Sequence, residues 1–423
     1  MKCKNLIQLI PFLLILFLPL ISISQNFELT PEKQIKLLSQ DIAVPEKFKK
    51  NLLQNYRVNV PKGYKTSIFY VGRLSKPRFI TFSPLGVLHV ANMNSGEIIA
   101  LPDFDHDLIA DTAIVVASNA FAHDVKFYNK AMYVAEELKV EKFTDEDENG
   151  IFETRTTFID SILPGKQRIP GGHTTRTIII DSLKQKIYLS VGSSCNVCRE
   201  NGRAVIFEYD INGKNKKKFS SGTRNSVGMD IHPKTGELWV TNNGSDHQGE
   251  NIPPEWIDAV KEGSFYGYPF AYANKVYFDF NAHEDYQKLL PINKEDSNLV
   301  SRMKEPAALV QAHSAPMAIK FTPPSVKRKF RNGALIAYRG SYDRKKATGY
   351  KIVFLNFNRK NKVTSVSDFL TGFLTDEVNN MHWARPVGIA IDVKGNIYLS
   401  SDDVNQFILV LSPKTKKNHL SKT

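Results

Sequence analysis

One template recurs along this chain of 423 residues, and it constrains the fold more than any other feature. A polar residue leads into a short apolar strand, a turn with Gly, Asn or Pro follows, and a second apolar strand returns. The template occurs in KPRFITFSPLGVLHVANMNSGEIIAL, AHDVKFYNKAMYVAEELKVEKF, GGHTTRTIIIDSLKQKIYLSVGSS, TRNSVGMDIHPKTGELWVTNNG, HSAPMAIKFTPPSVKRKFRNGALIAYRGS and ARPVGIAIDVKGNIYLSSDDVNQFILVL. Alternation and turn chemistry predict a β-hairpin in each segment. Recurring hairpins at this spacing are typical of a β-propeller.

We therefore predict an all-β fold, a six-bladed β-propeller of four-stranded antiparallel blades. A long segment, residues 273–306, interrupts the repeat before the fifth unit. We expect it to be a surface excursion, with a lid or substrate-binding loop as the alternative. Helical periodicity is confined to PEKQIKLLSQDI and PPEWIDAVKEG, and Trp256 in the second is expected to anchor a short helix in the core. An irregular pair of β-sandwiches is the alternative to the propeller.

The two ends of the chain differ from the repeat. Residues 1–24 combine lysines, an apolar run and small residues, which is the pattern of a secretory signal peptide, with an uncleaved anchor as the alternative. We assign residues 25–61 to an N-terminal extension, residues 62–415 to the propeller and residues 416–423 to a basic tail. The mature protein is predicted to be periplasmic or extracellular, with no stable membrane span after signal cleavage.

The net charge bears on the class of partner, and the cysteines bear on the redox state of the protein. Lys and Arg outnumber Asp and Glu by 56 to 43, and the formal charge is +13. Much of the excess lies in lysine-rich turns such as NGKNKKKF without an aromatic-and-basic motif, so we expect no nucleic-acid partner. Cys195 and Cys198 form C-x-x-C without a second pair, which predicts either a local disulfide or two free thiols in an oxidising compartment.

A basic residue stands at the start of the first strand of every unit. The six positions are Arg78, His123, His173, Arg224, His313 and Arg385. In a propeller these positions crowd around the axis at one face, where six cations would repel each other unless an anion lay between them. We infer a multiply charged anionic ligand on the axis, held bidentately by arginines. A histidine there could instead remove a proton, because its ordinary pKa is near neutrality.

Three acidic stretches raise the question of a bound cation. DFDHDLIAD (103–111) and DEDENGIFE (145–153) carry oxygen donors at calcium-loop spacing, but neither has Glu at position twelve. Calcium loops and solvated turns are both compatible with these two stretches. NNGSDHQGE (242–250) follows a strand end directly, and a cation near the axis and a plain turn are both compatible with it.

Several of these motifs, taken together and in order, resemble a known family. They are GGHTTRT, SGTRNSVGMDIHPKTGELWVTNNGSD, EGSFYGYPF, RGSYDRKKATGYKI and ARPVGIAIDVKGNIYLSSDD. Over most of 64–412 the chain resembles the sorbosone dehydrogenase-like branch of the soluble pyrroloquinoline quinone (PQQ) dependent sugar dehydrogenases. The resemblance implies PQQ and a calcium ion on the top face, and oxidation of a sugar or a related polyol or aldose. No C-x-x-C-H haem motif is present, so a separate electron acceptor is implied.

The resemblance also implies roles for individual residues. His173 matches the general base that takes the substrate hydroxyl proton while hydride passes to the quinone. Arg224 and Asn225 match residues that contact the quinone carbonyls, and Arg224 is thereby placed with His173 in the catalytic set. Contacts to the cofactor carboxylates are implied at Arg339, Arg344 and Arg385. Metal ligands are implied at Gly244, Ser245 and Asp246.

Two other functions compete with this one. A calcium-dependent lactonase-like hydrolase would need acidic or amide residues where the strand starts carry His and Arg, which disfavours it. A non-catalytic propeller that binds an anionic ligand or a glycan at the same basic face stays open.

Overall fold

The structure is a computed structural model that describes residues 27–52, 56–163, 172–342 and 344–414. In these ranges antiparallel strands form six sheets of four strands, each of which is a blade, and a fifth short strand joins one of them. The first strand of each blade contacts the first strands of both neighbouring blades, which closes a ring around a central axis. The predicted six-bladed β-propeller is confirmed. The predicted signal peptide and the basic tail lie outside the described residues.

The blades follow each other along the chain, and their strands are numbered outward from the axis. Blade 1 comprises Pro77–Phe82, Leu88–Asn92, Glu97–Leu101 and Ile114–Ser118. Blade 2 comprises Asp124–Tyr128, Ala131–Ala135, Val140–Thr144 and Thr154–Ile159. Blade 3 comprises Arg176–Asp181, Lys186–Val191, Val205–Asp210 and Lys217–Ser221, with Ser264–Phe265 added in parallel at its edge.

The second half of the ring has the same plan. Blade 4 comprises Asn225–Ile231, Leu238–Asn243, Glu255–Ala259 and Ala308–Val310. Blade 5 comprises Pro316–Phe321, Gly333–Tyr338, Lys351–Phe357 and Val363–Leu370. Blade 6 comprises Ala384–Ile391, Ile397–Val404, Phe407–Pro413 and, as its outermost strand, Tyr64–Tyr70.

Shorter elements decorate the ring. Three two-stranded sheets pair Leu37–Asp41 with Arg57–Pro61, Ala271–Tyr272 with Val276–Tyr277, and Leu374–Asp376 with Met381–His382. The helices are Glu284–Gln287 and Lys294–Ser301, and the 3-10 turns are Glu46–Phe48 and Arg328–Phe330. No helix in the described ranges is long and apolar enough to cross a membrane.

Apolar side chains on the blade faces form the core, because each blade packs face to face against its neighbours. Between blades 4 and 5, for example, Trp239 meets Phe321 and Phe357 edge to face, with ring centroids 6.0 and 5.0 Å apart. Edge-to-face pairs of this kind add to the area that they bury. The inner strands are buried on both faces, which leaves polar groups accessible mainly at the strand ends.

The ring closes where blade 6 meets blade 1. Tyr64–Tyr70 pairs antiparallel with Phe407–Pro413, so the N-terminal part of the ring completes the last blade. A Cβ atom at Gly388 would lie 2.6 Å from the carbonyl oxygen of Arg78, so the two inner strands approach this closely only with glycine there. The Ser400 hydroxyl donates to the same carbonyl at 2.6 Å. The backbone of Arg78 is therefore held rigidly at the seam.

Both helix predictions are wrong. The first segment contains the strand Leu37–Asp41, and the second contains Glu255–Ala259, the third strand of blade 4. The second of these strands is buried at every position, and a short run of this kind cannot be told from a helix by periodicity alone. The first is a largely exposed strand that forms by pairing with Arg57–Pro61, a partner that its own sequence does not show. Trp256 is nevertheless a core residue, 5% exposed. The inserted segment 273–306 carries both α-helices, inside blade 4 and before the fifth unit as predicted.

Candidate functional site

A cavity of about 410 Å³ lies on the axis, at the face where the first strand of each blade begins. Because the strands of a blade are antiparallel, the end of each second strand lies at the same face. The cavity wall is built from these two sets of strand ends. Five of the six predicted strand-start residues line it: Arg78, His173, Arg224, His313 and Arg385.

His123 is the exception, and the prediction that it reaches the cavity is wrong. Its side chain lies behind Arg78, whose Nε donates to His123 Nδ1 at 3.0 Å. The residue is 1% exposed, and burial followed by the charge of Arg78 lowers its pKa well below the ordinary value. His123 is therefore a neutral acceptor that supports Arg78 from below.

One wall of the cavity is basic and is anchored by a buried carboxylate. Arg339 Nε donates to both oxygens of Asp402, at 2.9 and 3.0 Å, and Arg78 Nη1 also pairs with Asp402. Asp402 is 4% exposed and lies near the end of the second strand of blade 6. Asp402 therefore offsets part of the repulsion between these arginines. The sequence alone indicates only an external anion for that role.

Arg385 completes this wall from the next blade. Its Nε and Nη2 donate to the carbonyl oxygens of Arg339 and Gly340 at 3.2 and 2.8 Å, and its guanidinium lies over the ring of Tyr350. Its Nη1 lies 3.6 Å from a carboxylate oxygen of Asp403. These contacts hold Arg385 in one orientation beside Arg339.

The basic wall keeps an excess of positive charge. It is formed by four cations, Lys76, Arg78, Arg339 and Arg385, against the two carboxylates of Asp402 and Asp403. Burial and the charge of Arg78 lower the pKa of Lys76, as expected for crowded cations. The excess favours an anionic ligand in the cavity.

His173 stands on the opposite side of the cavity with a defined ring orientation. Its Nδ1 lies 2.8 Å from the carbonyl oxygen of Ser193 and 3.1 Å from the Ser193 hydroxyl. A carbonyl only accepts, so Nδ1 carries the proton and Nε2 keeps its lone pair. Burial, and then the charge of Arg224, lower the pKa of His173 to about 3. The imidazole is therefore neutral and able to accept a proton.

A glycine makes room for this histidine. A Cβ atom at Gly192 would lie 2.6 Å from Asn225 Oδ1 and 2.7 Å from the Cβ of His173. Only glycine lets the second strand of blade 3 end between these two side chains. The structure thereby brings His173 and Asn225, which are separate in the sequence, to one part of the cavity wall.

Arg224 is held by the loops around it. Its Nε donates to the Asn196 carbonyl at 3.0 Å, its Nη2 contacts Asn196 Oδ1 at 3.1 Å and Asp246 at 3.2 Å, and its Nη1 donates to the Gly244 carbonyl. Its backbone φ is 28°, in the left-handed region that non-glycine residues rarely adopt. Strain of this kind persists where the surroundings over-determine a residue, and functional sites are common places for it.

The three predicted metal ligands lie together beside Arg224. Gly244 offers its carbonyl to Arg224 and its N–H to Glu255, at 2.6 Å from Oε2. The carboxylate of Asp246 lies between Arg224 and His313, 3.5 Å from His313 Nδ1. Ser245 is buried, and its hydroxyl donates to the hydroxyl oxygen of Tyr286 in the inserted segment at 2.8 Å. All three predicted ligands therefore already have hydrogen-bond or ion-pair partners within the protein.

Two titratable groups below this turn have shifted pKa values. Burial raises the pKa of Glu255 to about 7, despite the opposing charge of His313. Burial lowers the pKa of His313, but hydrogen bonding to Asp246 and to the Gly249 carbonyl outweighs it, so the net shift is upward. An acidic group and an amide, Glu255 and Asn243, thus line a cavity that the sequence predicted to be basic.

Two sequence features lie away from the cavity. Arg344 donates to the carbonyl oxygens of Lys346 and Glu250 and is absent from the described cavity lining, so its predicted cofactor contact has no geometric support here. The acidic stretches 103–111 and 145–153 join third to fourth strands of blades 1 and 2, at the opposite end of the blades. In both, main-chain N–H groups donate to the first aspartate, and calcium binding there stays a prediction.

The sequence missed four polar residues of the site. Asn243 and Asp402 lie near the ends of second strands, Glu255 begins the third strand of blade 4, and Lys76 directly precedes blade 1. A usable signal existed, because polar stretches such as NNGSD and SSDD end the second strands and therefore reach the same face as the strand starts.

Two related sequences cover most of the chain. The chain is 26% identical over 372 residues to an uncharacterised protein of Borreliella burgdorferi, covering 84% of this chain and 91% of that protein. It is 24% identical over 392 residues to a pyrroloquinoline quinone-dependent sugar dehydrogenase of Hypocrea jecorina, covering 80% of this chain and 85% of that protein.

Solved structures share the fold. The calcium structure of the Trichoderma reesei carbohydrate-active enzymes family AA12 matches with a TM-score of 0.71 and 22% identity, covering 84% of this chain and 96% of that one. The holo form of the pyranose dehydrogenase PQQ domain from Coprinopsis cinerea matches with a TM-score of 0.69 and 20% identity, covering 87% and 98%.

The family model described as TrAA12-like matches residues 58–414, almost the whole propeller. The resemblance to the PQQ-dependent sugar dehydrogenases is confirmed at the level of the family, and none of these matches distinguishes the sorbosone dehydrogenase-like branch. Because this match spans most of the chain, the protein belongs to the TrAA12-like family.

Proposed function

We propose that this protein binds PQQ in the axial cavity and oxidises a hydroxyl group of a sugar or a related polyol or aldose. The observation that carries the proposal is one cavity lined both by His173, whose Nε2 keeps its lone pair, and by a wall with excess positive charge. The Hypocrea jecorina relative and the Coprinopsis cinerea structure, both named for PQQ, support the choice of cofactor.

The residues present fit this cofactor. PQQ carries three carboxylates, and the wall of Lys76, Arg78, Arg339 and Arg385 has more cations than its own carboxylates neutralise. Arginine suits such a ligand because it pairs with carboxylates bidentately. The buried Oδ1 of Asn243, on the cavity lining, has no hydrogen-bond partner among the described residues. An unsatisfied buried acceptor is costly, which is consistent with a ligand group or a water that meets it there.

His173 is the residue that takes the hydroxyl proton in this proposal. When bound, PQQ supplies the electrophilic quinone that accepts the hydride. The Ser193 carbonyl fixes the Nδ1–H tautomer, so Nε2 remains available as the base. Burial and Arg224 hold the pKa of His173 near 3 in the cavity itself. Carboxylates of a ligand would oppose the charge of Arg224 and raise that pKa toward the range in which a base works well.

Arg224 supplies a fixed positive charge beside the base. Its guanidinium is held by the main chain and side chain of Asn196 and by Asp246, and it lines the cavity. A charge that is already oriented stabilises negative charge on a substrate or quinone oxygen without reorganisation during the reaction. We therefore keep Arg224 in the catalytic set with His173.

Two of the predicted calcium ligands, Gly244 and Asp246, already contact cations of the protein itself. The Gly244 carbonyl accepts from Arg224, and the Asp246 carboxylate pairs with Arg224 and His313. A calcium ion at these atoms would require both cations to move away. The atoms as arranged do not fit the ion, and no step of the mechanism is derived through it. The sorbosone dehydrogenase-like specificity, the separate electron acceptor and export from the cytoplasm stay predictions.

The proposal is tested by loading the protein with PQQ and measuring oxidation of a panel of sugars and polyols with an artificial electron acceptor. We expect His173→Gln to lower kcat about 100-fold or more, the usual effect of removing a general base, while PQQ is still taken up. His106→Gln, an exposed residue at the opposite end of the blades, is the matched control. Full turnover in His173→Gln would overturn the assigned role, and no turnover by the wild type on any substrate would overturn the proposal.

A further inference from the structure

The loop of residues 194–203, which we call the disulfide loop, contacts Arg224 and the turn with Asp246 and is absent from the described cavity lining. It joins the second and third strands of blade 3, and a disulfide links Cys195 to Cys198 with Cα atoms 6.2 Å apart. The sequence left open whether Cys195 and Cys198 form a disulfide or remain free thiols, and in the structure they form the disulfide. Asn196 lies inside this small covalent ring.

Both the oxygen and the nitrogen of the Asn196 side-chain amide make hydrogen bonds with residues of the cavity lining. Its Oδ1 accepts from Arg224 Nη2 at 3.1 Å and from the main-chain N–H of Asp246 at 2.8 Å. Its Nδ2 donates to the carbonyl oxygen of Asp246 at 3.2 Å. Its own carbonyl accepts from Arg224 Nε at 3.0 Å. One residue therefore sets the distance between Arg224 and the turn that carries Asp246.

The same loop reaches His173 through Ser193. The Ser193 hydroxyl donates to the Cys195 carbonyl at 2.8 Å, while Ser193 accepts from His173 Nδ1. The ring orientation of His173 and the guanidinium of Arg224 are therefore fixed by neighbouring residues of one loop. A shift of this loop would move both groups together.

The disulfide loop is also tied to the inserted segment. Arg199 pairs with Asp296 at 2.6 Å and donates to the Leu289 carbonyl at 2.9 Å. The Cys198 N–H donates to the hydroxyl of Tyr268 at 3.2 Å, and the side chain of Val197 is buried. The loop is thus anchored on the side away from the cavity, as expected of a supporting element.

We infer that Asn196, constrained by the Cys195–Cys198 disulfide, is a positioning residue that holds Arg224 and the Asp246 turn in the arrangement needed for turnover. Asn196 is absent from the described cavity lining, so it acts through these two residues. Its effect on turnover rests on the proposed function. Its effect on the geometry is independent of any cofactor, because every contact that carries the inference is made by the protein alone.

The first test needs no PQQ. Hydrogen exchange followed by mass spectrometry on the full chain would compare the segment 244–250 in wild type, Asn196→Ala and Asn196→Asp. Loss of the Oδ1 acceptor is expected to speed exchange at Asp246 about tenfold in Asn196→Ala, the effect of one lost buried hydrogen bond. Asn196→Asp keeps both acceptor functions but loses the Nδ2 donor to the Asp246 carbonyl, so its exchange should lie between those of wild type and Asn196→Ala. Asn201→Ala, an exposed position on the same loop, is the matched control.

The second test is kinetic. In PQQ-loaded protein, Asn196→Ala is expected to lower kcat at least tenfold with a smaller change in KM, because misplacing a group by about 1 Å costs up to 100-fold in rate. Asn196→Asp should recover part of that loss, because it restores the acceptor to Arg224 but not the donor to the Asp246 carbonyl. The double variant Cys195→Ser with Cys198→Ser should fall in the same direction, because Asn196 is then no longer constrained.

Two results would overturn the inference. The first is equal exchange at 244–250 in Asn196→Ala and Asn201→Ala, and the second is equal kcat in those two variants. A wild type that takes up no PQQ would refute the proposed function instead, and the exchange measurement would still decide the role of Asn196.

Discussion

Hydrogen-bond partners decide what individual residues of this site can do. His173 can accept a proton at Nε2 because its Nδ1 donates to the Ser193 carbonyl, and Arg224 is held in one orientation because Asn196 and Gly244 accept from it. The residue types at strand starts predicted His173 and Arg224 correctly as cavity residues. They could not predict that His123 lies behind Arg78, because that depends on which of two neighbouring strand starts reaches the axis.

The burial of His89 leads to a prediction about how the free energy of unfolding depends on pH. Burial lowers the pKa of His89 from its ordinary value of 6.5 to about 4. The unfolded state then binds the proton more readily, so the stabilisation is present above pH 6.5 and is lost as the pH falls toward 4. We expect the advantage of wild type over His89→Gln in unfolding free energy to shrink by about 3 kcal/mol across this interval.

Urea denaturation of both proteins at pH 7 and at pH 4 measures this difference. His123 and His173 titrate in both proteins, so their contributions cancel in the comparison. A difference between the two proteins that is the same at both pH values would contradict the assigned burial of His89.

At the scale of elements, the inserted segment supports the site from behind. The Tyr286 hydroxyl of its first helix donates to the Asp246 carbonyl at 2.7 Å and accepts from the Ser245 hydroxyl at 2.8 Å. The sequence located this segment before the fifth unit and offered a lid as one alternative. It could not show which residues the segment contacts, because Tyr286 and Asp246 are brought together only by the packing of blade 4.

Removing that hydroxyl tests the supporting role. Tyr286→Phe leaves the Asp246 carbonyl without this donor and the buried Ser245 hydroxyl without its acceptor, so we expect a loss of about 1–3 kcal/mol in unfolding free energy. PQQ affinity should fall as well, because the turn beside Arg224 loosens. Tyr277→Phe, a partly exposed tyrosine of the same segment, is the control for denaturation and for PQQ titration. Identical behaviour of the two variants would mean that the segment does not support the site.

The propeller as a whole explains why distant residues share one cavity. Its antiparallel blades carry six strand starts and six second-strand ends to the same face. Repeats in the sequence were sufficient to predict the blade number and the basic strand starts. They did not locate Asp402, near the end of a second strand, or Glu255, at the start of a third strand, because such residues are recognised as part of the site only once the strand order is known.

The central claim is that the axial cavity binds PQQ through its basic wall, and equilibrium titration of the purified protein with PQQ tests it most directly. The account predicts saturable binding by the wild type and a Kd raised about 10- to 100-fold in Arg339→Ala, the cost of one charge-assisted contact. Arg328→Ala, an exposed arginine at the opposite end of the blades, should bind as the wild type does. Absence of binding by the wild type, or an unchanged Kd in Arg339→Ala, would contradict the account.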